Sequence, residues 1–154
     1  MLRVAIAAVF VVHGAHILFG LWSGPGVGPG GLDPTSARFD AAGLSPGYVM
    51  AVLAGVIQLG AGALLGIGWL VRWASIALLF YLGITAWKMH LPWGYFLNWV
   101  SSPGRGHGLE FAIVIAAALV CLILTGGGAL SLDGCRASHA ASRAAGRARA
   151  MRRG

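Results

Sequence analysis

Residues 48–71 read YVMAVLAGVIQLGAGALLGIGWLV, without one Asp, Glu, Lys or Arg between Tyr48 and Val71. A helix crosses the roughly 30 Å hydrocarbon core with about 20 mainly apolar residues, and this segment is long enough to do so. Its apolar residues fall on every side instead of alternating with polar ones. That sets aside a barrel strand and leaves a helix, whose backbone hydrogen bonds close within the segment. Three further stretches share the character, at about residues 2–22, 73–90 and 109–126. The sequence therefore predicts an all-α integral membrane four-helix bundle over residues 1–133, followed by a basic tail at 134–154.

Composition points the same way. Of 154 residues, 58% are hydrophobic and 10% charged, and the mean hydropathy is +0.80. Four spans leave too little chain for an extramembranous catalytic domain. The low charge fraction excludes disorder, two cysteines make no disulfide scaffold, and 25 glycines without a three-residue period exclude collagen. Arg3 before an apolar run resembles the start of a signal peptide, but no small-x-small cleavage site follows Trp22, so the first run is read as a retained span.

Basic residues give an orientation. Arg3, Arg72, Arg136, Arg143, Arg147, Arg149, Arg152 and Arg153 fall on one side of a four-span chain, and Arg38, Lys88 and Arg105 on the other. The positive-inside bias then predicts both termini in the cytoplasm of a bacterial inner membrane. Trp22, Trp69, Trp73, Trp87, Trp93 and Trp99 stand at or just beyond span ends, where amphipathic rings anchor at headgroup level. The first connection opens with the turn-rich run Gly24 to Gly31, which follows a membrane helix and so is no dinucleotide loop. Asp33 as N-cap, Pro34 at the first helical position and Gly43 as a stop predict a short interfacial helix over 34–42. The tight turn around Arg72 makes the second and third helices antiparallel neighbours, whereas 88–108, with Pro92, Pro103 and several aromatics, is read as lying on the membrane surface.

An ionisable group in hydrocarbon is costly and is therefore a site hypothesis by default. His13 and His16 share a face of the first helix, Gln58 lies mid-way along the second, Lys88 and His90 end the third, and His107 and Glu110 open the fourth. All but Gln58 converge on one end of the bundle. The functional reading is an outward-facing pocket in which Glu110 pairs with Lys88 or a histidine and the imidazoles move protons or hydrogen-bond a quinone. Its candidate catalytic residues are His13, His16 and Glu110, and its quinone-binding set is His13, His16, Gln58, Lys88 and Glu110. The bland alternative is snorkelling of Lys88, His90 and His107 into headgroups, with the buried histidines simply bridging helices. No metal is assigned, because the spacing of His13, His16 and Glu110 matches no zinc pattern. Gly55, Gln58, Gly62 and Gly66 form one smooth stripe, a helix-packing face.

The tail carries Arg136, Arg143, Arg147, Arg149, Arg152 and Arg153, no acid, and no Leu, Ile, Val or Phe. Charge without an apolar face predicts docking on anionic lipid headgroups or on an acidic partner protein rather than insertion. Nothing in the chain points to nucleic acid. Cys121 and Cys135 form no Cys-x-x-Cys pair.

With these residues in view, the chain resembles the DoxX family of small four-helix membrane proteins over about residues 3–133. The resemblance rests on Arg3, His13-Gly14, Ala41-Ala42-Gly43-Leu44-Ser45-Pro46, Gly66-Ile67-Gly68, Lys88 to His90, Glu110, and the closing Gly128-Ala129-Leu130-Ser131-Leu132-Asp133. It implies a four-helix bundle and, for some members, association with oxidoreductases, including a quinone-reducing subunit of thiosulfate oxidation. Such proteins often have glutamate where Gln58 stands here. Two readings follow. One is a non-catalytic accessory subunit packing by its helices and tail on a larger respiratory or photosynthetic complex, which the sequence reading favours; the other is the membrane subunit of a quinone-linked oxidoreductase.

Overall fold

The computed structural model describes residues 1–24, 28–102 and 104–151, and side chains at all of these except 137, 141 and 144–150. Pro25 to Val27 of the glycine-rich loop, Pro103, the side chains of Arg147 and Arg149, and Arg152 and Arg153 of the predicted docking set thus lie outside the described residues.

Every regular element among the described residues is helical: α1 (Leu2–Phe19), α2 (Leu32–Ala41), α3 (Gly47–Ile67), α4 (Val71–Thr85), α5 (Glu110–Thr125) and α6 (Leu132–Met151). α4 runs on through a π turn at Ala86–His90 and a 3-10 turn at Leu91–Trp93. Among the described residues three segments are long and apolar enough to cross a membrane, Leu2–Phe19, Gly47–Ile67 and Val71–Trp93. The expected fourth span is shorter. α5 has 16 residues, about 24 Å at ~1.5 Å per residue, because Gly126 and Gly128 take positive φ angles and end it. The first span stops at Phe19, not residue 22, where Gly20 turns left-handed at φ 66° and its N–H returns to the His16 carbonyl.

α1 and α3 are in backbone contact. A Cβ on Gly14 would stand 2.5 Å from the Leu59 nitrogen, so only glycine fits. Along the same face, Leu18 lies over Gly55, Phe10 and Val11 lie over Gly62, and Ala7 lies over Gly66. α4 packs on both α3 and α5. The main core joins Phe10 of α1, Leu65 of α3, Leu78 of α4 and Leu119 of α5, with Ile6, Val71, Ile115 and Leu122 around them.

α2 begins two residues before the predicted start and is preceded by Gly31, so Asp33 lies in the first turn and is not the N-cap. Phe39 and Thr35 face inward, and the Thr35 hydroxyl donates to the Gly31 carbonyl at 2.8 Å. Asp40 reaches beyond its own helix: one carboxylate oxygen accepts from the Ser45 hydroxyl at 2.7 Å and from the Gly47 N–H at 2.8 Å, capping α3.

The opposite end is tied by the stretch after α5. Arg3 donates to the Leu130 carbonyl at 2.8 Å, the Asp133 N–H donates to the Gly68 carbonyl at 3.0 Å, and the two Asp133 oxygens accept from the Leu70 and Val71 N–H groups. Gly68 needs its missing side chain twice over, for a φ of 76° and for the room Arg3 and Ser131 occupy. The tail, read from sequence only as a charged extension, is the helix α6. Its alanines and arginines are strong helix formers, and that propensity acts without an apolar face.

Candidate functional site

A cavity of about 670 Å³ opens at the end of the helices opposite Arg3. Its apolar wall includes Phe10 and Ile17 of α1, Phe39 of α2 and Phe111 and Ile115 of α5. Its polar groups come from every surrounding element: His13 and His16 from α1, Thr35 and Arg38 from α2, Gln58 from α3, Tyr81 and Thr85 from α4, His90 from the π turn, and Asn98 and His107 from the connection before α5.

The polar groups differ in what they have left to offer. Gln58 is buried at 4% exposure, and its amide donates to the Tyr81 hydroxyl at 2.9 Å. That hydroxyl accepts from Gln58 and so keeps its own O–H for a ligand. Nδ1 of His16 lies 2.7 Å from the Leu21 carbonyl and Nδ1 of His90 lies 2.9 Å from the His107 carbonyl. A carbonyl only accepts, so in both rings Nδ1 carries the proton and, in the neutral form, Nε2 is an acceptor. His107 is the reverse, because its Nδ1 accepts from the Asn98 N–H at 3.2 Å and leaves a proton on Nε2. Among the described residues His13 has no hydrogen-bond partner, and both its ring nitrogens are uncommitted.

Asn98 holds the wall formed by Leu97 to Trp99 and by His107 and Gly108. Its side-chain amide donates to the carbonyls of Ser102 and Arg105 at 3.0 and 2.9 Å, and its side-chain oxygen accepts from the Ser102 N–H at 2.9 Å. Glu110 anchors the same wall to α5, accepting from the Leu97 N–H at 3.2 Å.

His13, His16 and Gln58, three of the five residues expected to bind quinone, therefore line one cavity, whereas Lys88 and Glu110 do not. The expected Glu110–Lys88 pair is not formed. Glu110 is taken up by backbone, and the Lys88 ammonium lies 5.1 Å from the centre of the Trp87 ring. The π turn brings Met89 and His90 to the cavity wall. Of the three candidate catalytic residues, only His13 and His16 face a ligand-sized space. Among the described residues no three His, Cys, Asp or Glu side chains come together as a metal site, and Cys121 and Cys135 are free and exposed. Tyr81, Thr35 and Asn98 escaped sequence reading. A tyrosine in an apolar run looks like one more aromatic, and its link to Gln58 joins two helices that no spacing relates.

The predicted packing stripe meets α1 of the same chain, as the placement of Leu18, Val11 and Ala7 shows. Of the predicted docking arginines, Arg136 and Arg143 are described, and Arg136 lies 5.9 Å from the centre of the Trp69 ring.

Neither comparison with known proteins, one with curated sequences and one with solved structures, finds a match for this chain. The family model named DoxX matches residues 1–91. That region carries α1 to α4 and the π turn, and it stops short of α5 and the closing Ser131-Leu132-Asp133, which the resemblance had included. With the match running over more than half its length, this integral membrane chain belongs to the DoxX family.

Proposed function

We propose that the protein is the membrane subunit of a quinone-linked oxidoreductase and that its cavity holds the quinone head. The observation that carries this reading is the cavity itself: about 670 Å³, apolar for most of its wall, with His13, Gln58 and Tyr81 converging on it from three helices. Small-molecule sites have this size and this mix, a largely apolar wall with a few fixed polar groups. The donor set suits a quinone carbonyl, which needs a hydrogen-bond donor at its oxygen, and the Tyr81 O–H and the Nε2–H of His107 are both donors. A quinone bound there supplies two-electron, two-proton chemistry. The chain's residues hold and orient the head, exclude water through Phe10, Phe39 and Phe111, and accept or return protons at His13.

Its electrons come from or go to another subunit, which places it within a larger redox complex; this takes the second of the two sequence readings over the non-catalytic accessory subunit that packs by its helices and tail. Packing on that complex through the glycine stripe has little support, since α1 already covers the stripe. In this reading α5 completes a four-helix bundle, both termini are cytoplasmic, and the cavity faces the outer side.

The test is a titration of the full chain in nanodiscs with short-chain ubiquinone and menaquinone analogues, followed by tryptophan quenching, since Trp99 lines the cavity. Saturable quenching that weakens in His13→Ala is the expected result. An absence of saturable binding, or binding that is the same in His13→Ala and Tyr81→Phe as in the parent, rejects it.

A further inference from the structure

A second, shallower cavity of about 640 Å³ lies at the Arg3 end, between the turn after α3 and the first half of α6. Trp69 forms one wall, and Leu132, Arg136, His139 and Arg143 are on the other. These α6 residues recur at three and four positions, so one face of the helix is turned to the groove. Both arginines and the histidine are therefore presented to a single space, and the Arg136 guanidinium lies over the Trp69 ring, 5.9 Å from its centre.

That positive charge is not neutralised within the described residues. The sequence contains no acid after Asp133, and the Asp133 carboxylate is committed to the Leu70 and Val71 amides. The groove also has an apolar margin. Trp69 is exposed in one wall and Leu132 in the other, and Leu70 and Trp73, next to Trp69 in the sequence at the ends of two segments long enough to span the membrane, are exposed too. An occupant must therefore carry negative charge toward α6 and hydrocarbon toward Trp69, which is the chemistry of an anionic phospholipid.

We propose that this groove binds an anionic phospholipid, with its phosphate held by Arg136 and Arg143 across His139 and its acyl chains running past Trp69 into the bilayer. The site is at the other end of the chain from the quinone cavity and stands whether or not that cavity binds quinone.

The test uses the full chain in nanodiscs of phosphatidylcholine doped with phosphatidylglycerol, with native mass spectrometry of the lipid retained on ejection. The parent protein retains phosphatidylglycerol in preference to phosphatidylcholine. Arg136→Gln and Arg143→Gln each weaken that preference about 5-fold. Trp69→Ala weakens it with every charge kept, and Arg105→Gln, which removes one positive charge at the other end, leaves it unchanged. Circular dichroism checks that each variant keeps its helix content. An undiminished preference in the double variant Arg136→Gln/Arg143→Gln overturns the proposal, as does an equal loss from Arg105→Gln, which would mean diffuse charge attraction. Displacement of the lipid by millimolar inorganic phosphate would mean a free-oxyanion site. Retention of an acidic protein in place of lipid would mean that α6 docks a partner. Either result also overturns it.

Discussion

Gly14 of α1 and Leu59 of α3 meet backbone to backbone, with the Leu59 nitrogen 2.5 Å from where a Gly14 Cβ would be. No rotamer relieves that contact, because the atom in the way belongs to the main chain. Gly14→Ala therefore forces α1 and α3 apart and loosens the packing of Val11 and Leu18 on the glycine stripe. Overpacking of this kind costs about 1 to 3 kcal/mol. Gly60→Ala, on α3 at a position where a Cβ meets nothing within 4 Å, leaves stability unchanged or slightly raised. Thermal unfolding in detergent separates the two.

Asp133 supplies acceptors for two amides at the start of α4, at 3.1 and 3.0 Å. Asp133→Ala removes both and lowers stability by about 1 to 3 kcal/mol. Asp133→Asn keeps one acceptor and loses less. The expected order in thermal unfolding is parent, Asn, Ala; equal midpoints for all three would show that the cap is idle.

Gln58 and Tyr81 are coupled through one hydrogen bond in the cavity wall. Tyr81→Phe removes the hydroxyl, strands the buried Gln58 amide, and weakens binding of a quinone analogue by about 3- to 10-fold, the worth of one neutral hydrogen bond. In a double-mutant cycle with Gln58→Leu, the stability losses are less than additive. Additive losses would mean that the two side chains do not interact in the membrane.

Glu110 positions the wall and does not touch the ligand space. Glu110→Gln keeps an acceptor for the Leu97 N–H and retains most of the binding, whereas Glu110→Ala releases the wall at Leu97 and Asn98. Hydrogen exchange reads this directly, as faster exchange at Leu97 and Asn98 in the Ala variant. If Gln and Ala abolish binding equally, the carboxylate acts through its charge.

Much of this architecture was legible in the sequence. The apolar runs located α1, α3 and α4, and the spacing of Gly55, Gln58 and Gly62 marked the face on which α3 packs. What covers that face was not legible: Gly14 is one small residue in an apolar helix, and only the fold brings Leu59 against it. The convergence of polar groups on one end was legible too, but not which of them line a common space. Lys88 and Glu110 fall at that end in the sequence and are diverted, one onto the face of Trp87 and the other onto a backbone amide. Those diversions depend on a π turn and on the placement of Leu97 beside Glu110, neither of which leaves a periodic trace. α6 was missed for a different reason. It has no apolar face to mark it, and alanine and arginine form helix without one.

The cap on α4 has a consequence in time. Leu70 and Val71 emerge from the ribosome about sixty residues before Asp133, the residue that satisfies their amides. Throughout that interval the first turn of α4 lacks the carboxylate that caps it. Arg3, made first, likewise waits for the Leu130 carbonyl, made near the end. Synthesis through residue 133 is therefore the event that closes the Arg3 end, and a chain arrested earlier keeps its apolar helices but lacks the contacts that tie them together there.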